Sequence, residues 1–232
     1  MSYNLTLSIQ RRFVNICYVC FLCCSSIVAI GAGNPMINIS YIEASTGNRW
    51  KVSEWPERTN KSNFSVEFIA LYQYDKSEAV DMVLAKDTPP NVVVLQECSV
   101  YFPGDIDTYQ ALLIGWIDQI IDNGSIPVVA TVVPTTKSMG LIQDTKNWIK
   151  HRLLGRPTQV DQVRAYNDWI RTMASDKAIA LLDLEALLRV SDTDRIMNQA
   201  YSSGDGIHPN AYAYSLFDQE FERLLHLIDL NY

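Results

Sequence analysis

Cysteine and histidine are scarce in most of this sequence, and their scarcity excludes several kinds of site. Four of the five cysteines fall within residues 1–33, so only Cys98 remains beyond them, and it has no partner for an internal disulfide. Three histidines and one such cysteine form no cluster with the spacing of metal ligands. Neither a P-loop nor a G-x-G-x-x-G motif occurs. We therefore expect no metal ion and no other cofactor.

Positive charge is also in short supply. The chain has 19 Lys and Arg residues against 26 Asp and Glu residues, which gives a net charge of −7 and a pI near 4.9. A nucleic-acid partner would require a basic face, and the sequence has no basic cluster beyond its N-terminal region. The 232 residues are enough for one sizeable core. We expect one domain that binds a small molecule or a glycan ester, and no nucleic-acid partner.

The N-terminal region differs from the rest of the chain. Arg11 and Arg12 precede an uncharged run at residues 13–33, which ends in small residues. This pattern is typical of a secretory signal peptide, although its length also suits a membrane-spanning anchor. We expect residues 1–33 to be a signal peptide or signal anchor, and residues 34–232 to form the functional domain. The protein is then secreted or periplasmic, and it contacts a membrane only if the N-terminal segment is retained.

Short apolar runs alternate with helical patterns along the remainder of the chain. We predict strands at residues 36–42, 66–73, 91–97, 127–133 and 178–183, and helices at residues 78–85, 106–122, 160–174 and 211–228. Residues 186–200 are expected to be partly helical, and the stretch after Pro134 that contains His151 is expected to be a loop. This alternation predicts an α/β fold with a three-layer open sheet of about five parallel strands and helices on both faces.

A Gly-rich turn before the last predicted helix carries the main chemical signal. Asp205 lies three residues before His208, between Gly204 and Pro209. A carboxylate at this spacing can hold the imidazole by one nitrogen and leave the other free to take a proton from a nucleophile. The alternative is an Asx-turn followed by proline, with His208 as a solvated loop residue.

Ser45 follows the first predicted strand and is a candidate for that nucleophile. Parallel strands bring their carboxyl ends to one edge of the sheet, where the Asp205–His208 turn is also expected. With this order of residues the chain resembles the SGNH/GDSL hydrolase superfamily over most of residues 36–229. The resemblance implies a flavodoxin-like SGNH hydrolase fold and a metal-independent serine esterase, with Ser45 as nucleophile, His208 as base and Asp205 as the acid that orients it.

The sequence departs from this family in each of its early motifs. The Gly-Asp-Ser of the first motif is Glu-Ala-Ser at residues 43–45, and the third motif, usually Gly-x-Asn-Asp, aligns with residues 97–100. The Asn that would bind the oxyanion is therefore missing. Ser99 is a possible replacement donor, and Glu97 is a candidate for a hydrogen bond to the substrate.

Other interpretations of these residues remain open at this point. Ser45 could simply cap the helix that follows it. Glu43 and Glu97 could be solvated charges at the rim, or a carboxylate pair for glycoside hydrolysis. The altered third motif also permits a non-catalytic protein on the same fold that binds a glycan or an envelope partner.

Overall fold

The apolar runs assemble into one sheet of five parallel strands. The computed structural model describes residues 35–97, 106–136, 138, 141–153, 155 and 157–228. The strands are β1 (Ile37–Glu43), β2 (Phe64–Ala70), β3 (Val92–Gln96), β4 (Ile126–Ala130) and β5 (Ala180–Leu182). Their order in the sheet is β2-β1-β3-β4-β5, and every neighbouring pair is parallel. The predicted α/β fold class is confirmed.

Helices connect the strands and cover the sheet. They are α1 (Thr46–Trp50), α2 (Trp55–Arg58), α3 (Ser77–Leu84), α4 (Ile106–Asp122), α5 (Leu141–Arg152), α6 (Gln159–Asp176), α7 (Leu184–Leu188) and α8 (Ala211–Leu227), with 3₁₀ turns at Val52–Glu54 and Gln199–Tyr201. The prediction of a loop around His151 was wrong, because residues Leu141–Arg152 form helix α5. Its apolar pairs, 141–142 and 148–149, are seven residues apart, which places them on one helical face.

The core has two parts because successive residues of a strand point to opposite faces. Val92 and Val94 of β3 belong to one cluster, together with aromatic residues of α1, α2 and α8. Val93 and Leu95 belong to the other cluster, which is completed by apolar residues of α3, α4 and α6. Fully burying an aliphatic side chain of this size contributes about 1.5–3 kcal/mol. Strands that are apolar on both sides therefore hold helices on both faces, as the sequence predicted.

The order of the strands reverses at one point of the sheet. The chain leaves β1 toward β2 on one side and returns to β3 on the other, so β1 lies at the point where the strand order reverses. Ligands in open α/β sheets bind at the carboxyl ends of strands at such a point. The segment after β1 begins at residue 44, which puts Ser45 at this edge.

The predicted signal peptide or anchor at residues 1–33 lies outside the described residues. Within the part of the chain that the structure describes, no helix has the length and apolar character needed to cross a membrane.

Candidate active site

Ser45 occupies the position just before helix α1. Its backbone has φ −101° and ψ −30°, and its side chain makes no capping hydrogen bond to the helix. The side chain is half-buried. The helix-cap interpretation of Ser45 therefore fits its position but not its hydrogen bonding, and the hydroxyl is not used to satisfy the first N–H groups of α1.

Glu43 performs the capping instead. Its carboxylate accepts hydrogen bonds from the backbone N–H groups of Thr46 (3.2 Å) and Gly47 (2.7 Å). The Glu43 side chain has no exposed surface, and burial raises its pKa from 4.5 to about 7, although the N–H bonds and the charge of Lys76 act in the opposite direction. A side chain at position 47 would meet the Phe68 ring at 2.6 Å. The turn that presents Ser45 is thus built around a buried carboxylate.

The Asp205–His208 pair forms as the sequence spacing predicts. Asp205 Oδ2 lies 2.7 Å from His208 Nδ1, while Oδ1 accepts the backbone N–H groups of Ile207 (2.9 Å) and His208 (2.8 Å). Burial acts to raise the pKa of Asp205, but these hydrogen bonds outweigh it and lower the pKa well below its usual value. A carboxylate that stays ionised orients the ring and leaves Nε2 as the nitrogen that can accept a proton.

Two glycines and a neighbouring loop hold this turn in place. Gly204 and Gly206 have φ values of 98° and 77°, a backbone conformation that residues with a side chain rarely adopt. The backbone N–H of Thr136, after β4, donates to the carbonyl oxygen of Gly206 at 2.9 Å. The turn is therefore fixed both by its own sequence and by a contact with the segment that leaves β4.

Arg49 connects the two halves of the site. Its guanidinium lies 3.4 Å from Asp205 Oδ2, and its backbone N–H donates to the carbonyl oxygen of Ser45 at 3.0 Å. The helical turn that begins at Ser45 is therefore in contact with the loop that carries Asp205 and His208. Sequence reasoning did not single out Arg49, since no motif marks a cation one turn after the serine.

Tyr214 is another residue that sequence reasoning missed. It lies in the first turn of α8, and its hydroxyl is buried without a hydrogen-bond partner among the described residues. Burial raises the pKa of Tyr214, and the charges of Arg49, Glu43 and Asp205 all act on it. Tyr214 is therefore a buried hydroxyl that is influenced by the charges of residues next to Ser45 and His208. Its helical, apolar context in the sequence gave no sign of this placement.

Ser99 was predicted as an oxyanion donor, and Glu97 as a residue that binds the substrate. Ser99 lies outside the described residues. Glu97 is buried, and its carboxylate lies 2.5 Å from Lys76 Nζ, which is buried as well. This position does not support contact between Glu97 and a substrate. The interpretation of Glu43 and Glu97 as solvated rim charges is wrong, since both carboxylates are inside the protein.

No group of three or more His, Cys, Asp or Glu side chains within the described ranges could hold a metal ion. The geometry offers an imidazole oriented by a carboxylate, in a loop that contacts the helix beginning at Ser45 through Arg49.

Comparison with solved structures identifies the fold. A GDSL-like lipase from Bacteroides thetaiotaomicron VPI-5482 superposes with a TM-score of 0.60 at 12% identity, covering 82% of this chain and 88% of that one. An acetyl xylan esterase gives a TM-score of 0.56 at 16% identity, over 81% and 98% of the two chains. A catalytic mutant of an acetylxylan esterase from Geobacillus stearothermophilus gives 0.54 at 12% identity, over 85% and 96%.

No family model and no curated protein matches the sequence. The likeness is therefore one of structure, and at these identities it concerns the fold. The chain has the α/β fold of the SGNH/GDSL hydrolases, whose solved members include lipases and esterases. The resemblance predicted from the residues is confirmed at this level.

Proposed function

We propose that the protein is a serine esterase that hydrolyses a carboxylic ester through Ser45, His208 and Asp205. The observation that carries this proposal is the 2.7 Å contact between Asp205 and His208, in a loop that touches the helix beginning at Ser45. The Ser45 side chain makes no capping hydrogen bond to α1. This supports the proposal, because the hydroxyl is not committed to stabilising the helix. Esterases among the structural neighbours support the same reaction class.

The reaction proceeds in two halves. Ser45 Oγ attacks the ester carbonyl carbon while His208 Nε2 takes its proton, and the proton is then given to the departing alcohol. Water attacks the resulting acyl-enzyme by the reverse route and releases the carboxylic acid. Asp205 remains ionised throughout, because its hydrogen bonds keep its pKa low, and it stabilises the imidazolium that forms.

The oxyanion of the reaction needs hydrogen-bond donors. This chain lacks the Asn that provides one of them in the SGNH/GDSL family, so other groups must do so. The backbone N–H of Ser45 is free of the Glu43 carboxylate, which takes the N–H groups of the next two residues. The buried Tyr214 hydroxyl supplies a second donor in this proposal, and Ser99 remains a candidate. A Tyr214→Phe protein should keep its stability but lose about 100-fold in kcat, since one oxyanion donor is worth about 100- to 1000-fold. Unchanged kcat would remove Tyr214 from the site.

The neighbours support a choice of substrate class. Two of them are described as acetylxylan esterases, one as a catalytic mutant, and one is described as a lipase. We propose a small acyl ester on a carbohydrate or lipid, encountered outside the cytoplasm if residues 1–33 direct export as expected.

Labelling with a fluorophosphonate tests the nucleophile. The wild-type protein should form an adduct that peptide mapping assigns to Ser45, and neither Ser45→Ala nor His208→Ala should label. The matched control is Ser53→Ala, which alters an exposed serine of the neighbouring 3₁₀ turn and should label normally. Labelling elsewhere, or full labelling of His208→Ala, contradicts the mechanism.

The second candidate is a non-catalytic binding protein on the same fold. The altered third motif favours it, because residues 97–100 lack the oxyanion Asn and Glu97 is engaged by Lys76. A folded protein that binds a glycan but shows no fluorophosphonate labelling would establish this alternative.

A further inference from the structure

Helix α5 exposes an apolar surface that the fold does not cover. Leu141, Ile142, Trp148 and Ile149 have exposed fractions of 85%, 74%, 58% and 39%, and Leu153, just past the helix, has 67%. At 100° per residue these side chains fall on one stripe of the helix. Most other apolar segments of the domain bury such a face in one of the two core clusters. The apolar face of α5 therefore points to a partner outside the domain.

The charge of this helix differs from that of the whole protein. Its sequence has three Lys or Arg residues and one Asp, whereas the whole chain has a net charge of −7. Lys146 and Arg152 are exposed. At 100° per residue Lys146 lies beside the stripe, and Arg152, the last residue of the helix, lies within its angular range, where a long side chain can carry its charge past the apolar groups. A helix with leucine, isoleucine and tryptophan on one side and basic residues beside them suits the interface of an anionic bilayer. Tryptophan in particular favours the boundary between headgroups and acyl chains.

The geometry points to α5 as a membrane-surface helix: we propose that it lies on anionic lipid, with Leu141, Trp148 and Ile149 in the acyl boundary and Lys146 and Arg152 at the headgroups. This inference concerns binding and does not require the esterase reaction.

Contacts at the start of α5 relate this surface to the candidate site. Ser138 Oγ donates to Asp144 of α5 at 2.6 Å, and the Thr136 hydroxyl donates to the Ser138 carbonyl oxygen at 2.6 Å. The N–H of Thr136 in turn donates to Gly206, within the Asp205–His208 turn. A bilayer under α5 would thus lie close to the candidate catalytic loop, where it could deliver a lipid ester or an ester at the membrane surface.

The test must report on α5 itself, since residues 13–33 are uncharged and could enter a bilayer on their own. The full-length protein is mixed with phosphatidylcholine vesicles, with or without phosphatidylglycerol, whose acyl chains carry bromine to quench nearby tryptophan. We expect quenching in the anionic vesicles that disappears in Trp148→Phe and persists in the matched control Trp169→Phe, a partly buried tryptophan of α6. Reversing Lys146 and Arg152 to Glu should weaken the quenching titration by more than about tenfold.

Two results would overturn the proposal. One is equal quenching of the wild-type and Trp148→Phe proteins, which would assign lipid contact to another part of the chain. The other is absence of quenching together with a dimer in light scattering that Ile149→Asp dissociates, which would make the stripe an interface between copies. Esterase activity is measured separately, on a soluble aryl ester and without vesicles. A failure of the proposed esterase reaction is therefore distinguishable from a failure of lipid binding.

Discussion

Replacement of Glu43 by Gln should change how the stability of the protein depends on pH. Glu43 is wholly buried, and its pKa is raised from 4.5 to about 7, chiefly because burial disfavours the charged carboxylate. Between these two pH values the folded protein holds a proton that the unfolded chain has released. Unfolding then releases a proton, so the free energy of unfolding falls as pH rises.

The size of this effect follows from the two pKa values. The Glu43 contribution to stability is full below pH 4.5 and is lost as pH rises through about 7. At about 1.4 kcal/mol for each pKa unit, the loss between about pH 5 and about pH 8 is roughly 2–3 kcal/mol. A glutamine side chain cannot ionise, so Glu43→Gln should escape this loss while keeping an acceptor for an N–H of α1.

Urea unfolding at the two pH values measures the difference. The stability of Glu43→Gln relative to wild type should improve by about 2–3 kcal/mol from about pH 5 to about pH 8, which is a midpoint shift of about 1 M urea at typical m-values. Any cost of replacing a carboxylate oxygen by an amide nitrogen is the same at both pH values and cancels.

The matched control is Glu57→Gln, which changes an exposed glutamate of α2. Its stability relative to wild type should not vary with pH. The reasoning is refuted if Glu43→Gln behaves like this control, since the buried carboxylate would then be ionised at no cost.

Three further changes test other parts of the site. Asp205→Asn should leave the fold intact and lower kcat on a soluble aryl ester by about 10⁴, because the amide cannot hold His208 in the required tautomer; near-normal kcat would contradict the triad. Lys76→Met should destabilise the protein by about 3–5 kcal/mol in urea unfolding, because it leaves the buried Glu97 carboxylate without this cation. Adding Glu97→Gln should recover part of that loss, and purely additive losses would argue against the ion pair. Gly47→Ala should cost about 1–3 kcal/mol, because the new methyl group would lie 2.6 Å from the Phe68 ring; a second change, Phe68→Leu, should reduce that cost.

Local patterns in the chain were enough to predict the architecture. The run at residues 91–97 is apolar on both faces, which favours a central strand of a parallel sheet, and the strand prediction there is confirmed. The Asp205–His208 contact also follows from local chemistry. A spacing of three residues in a Gly-rich turn places the carboxylate within reach of the ring.

Other features depend on contacts between distant parts of the chain, which no short pattern records. Glu43 and Glu97 look like rim charges at strand ends, yet the folded chain buries both and brings Lys76, from the loop before α3, into contact with Glu97. Arg49 and Asp205 are 156 residues apart in sequence and touch only because their strands and helices end at the same edge.

Glu43 and Glu97 look exposed in the sequence and are buried in the fold, whereas helix α5 looks buried and is exposed. Its apolar residues recur at helical spacing in the sequence, and such an amphipathic pattern predicts that the apolar face is buried. Only the tertiary structure shows that the domain leaves this face uncovered. Spacing along the chain decides what a segment can form and which near neighbours can meet. Burial, and with it the pKa of a carboxylate or the exposure of a helix, is decided by what the rest of the fold packs against that segment.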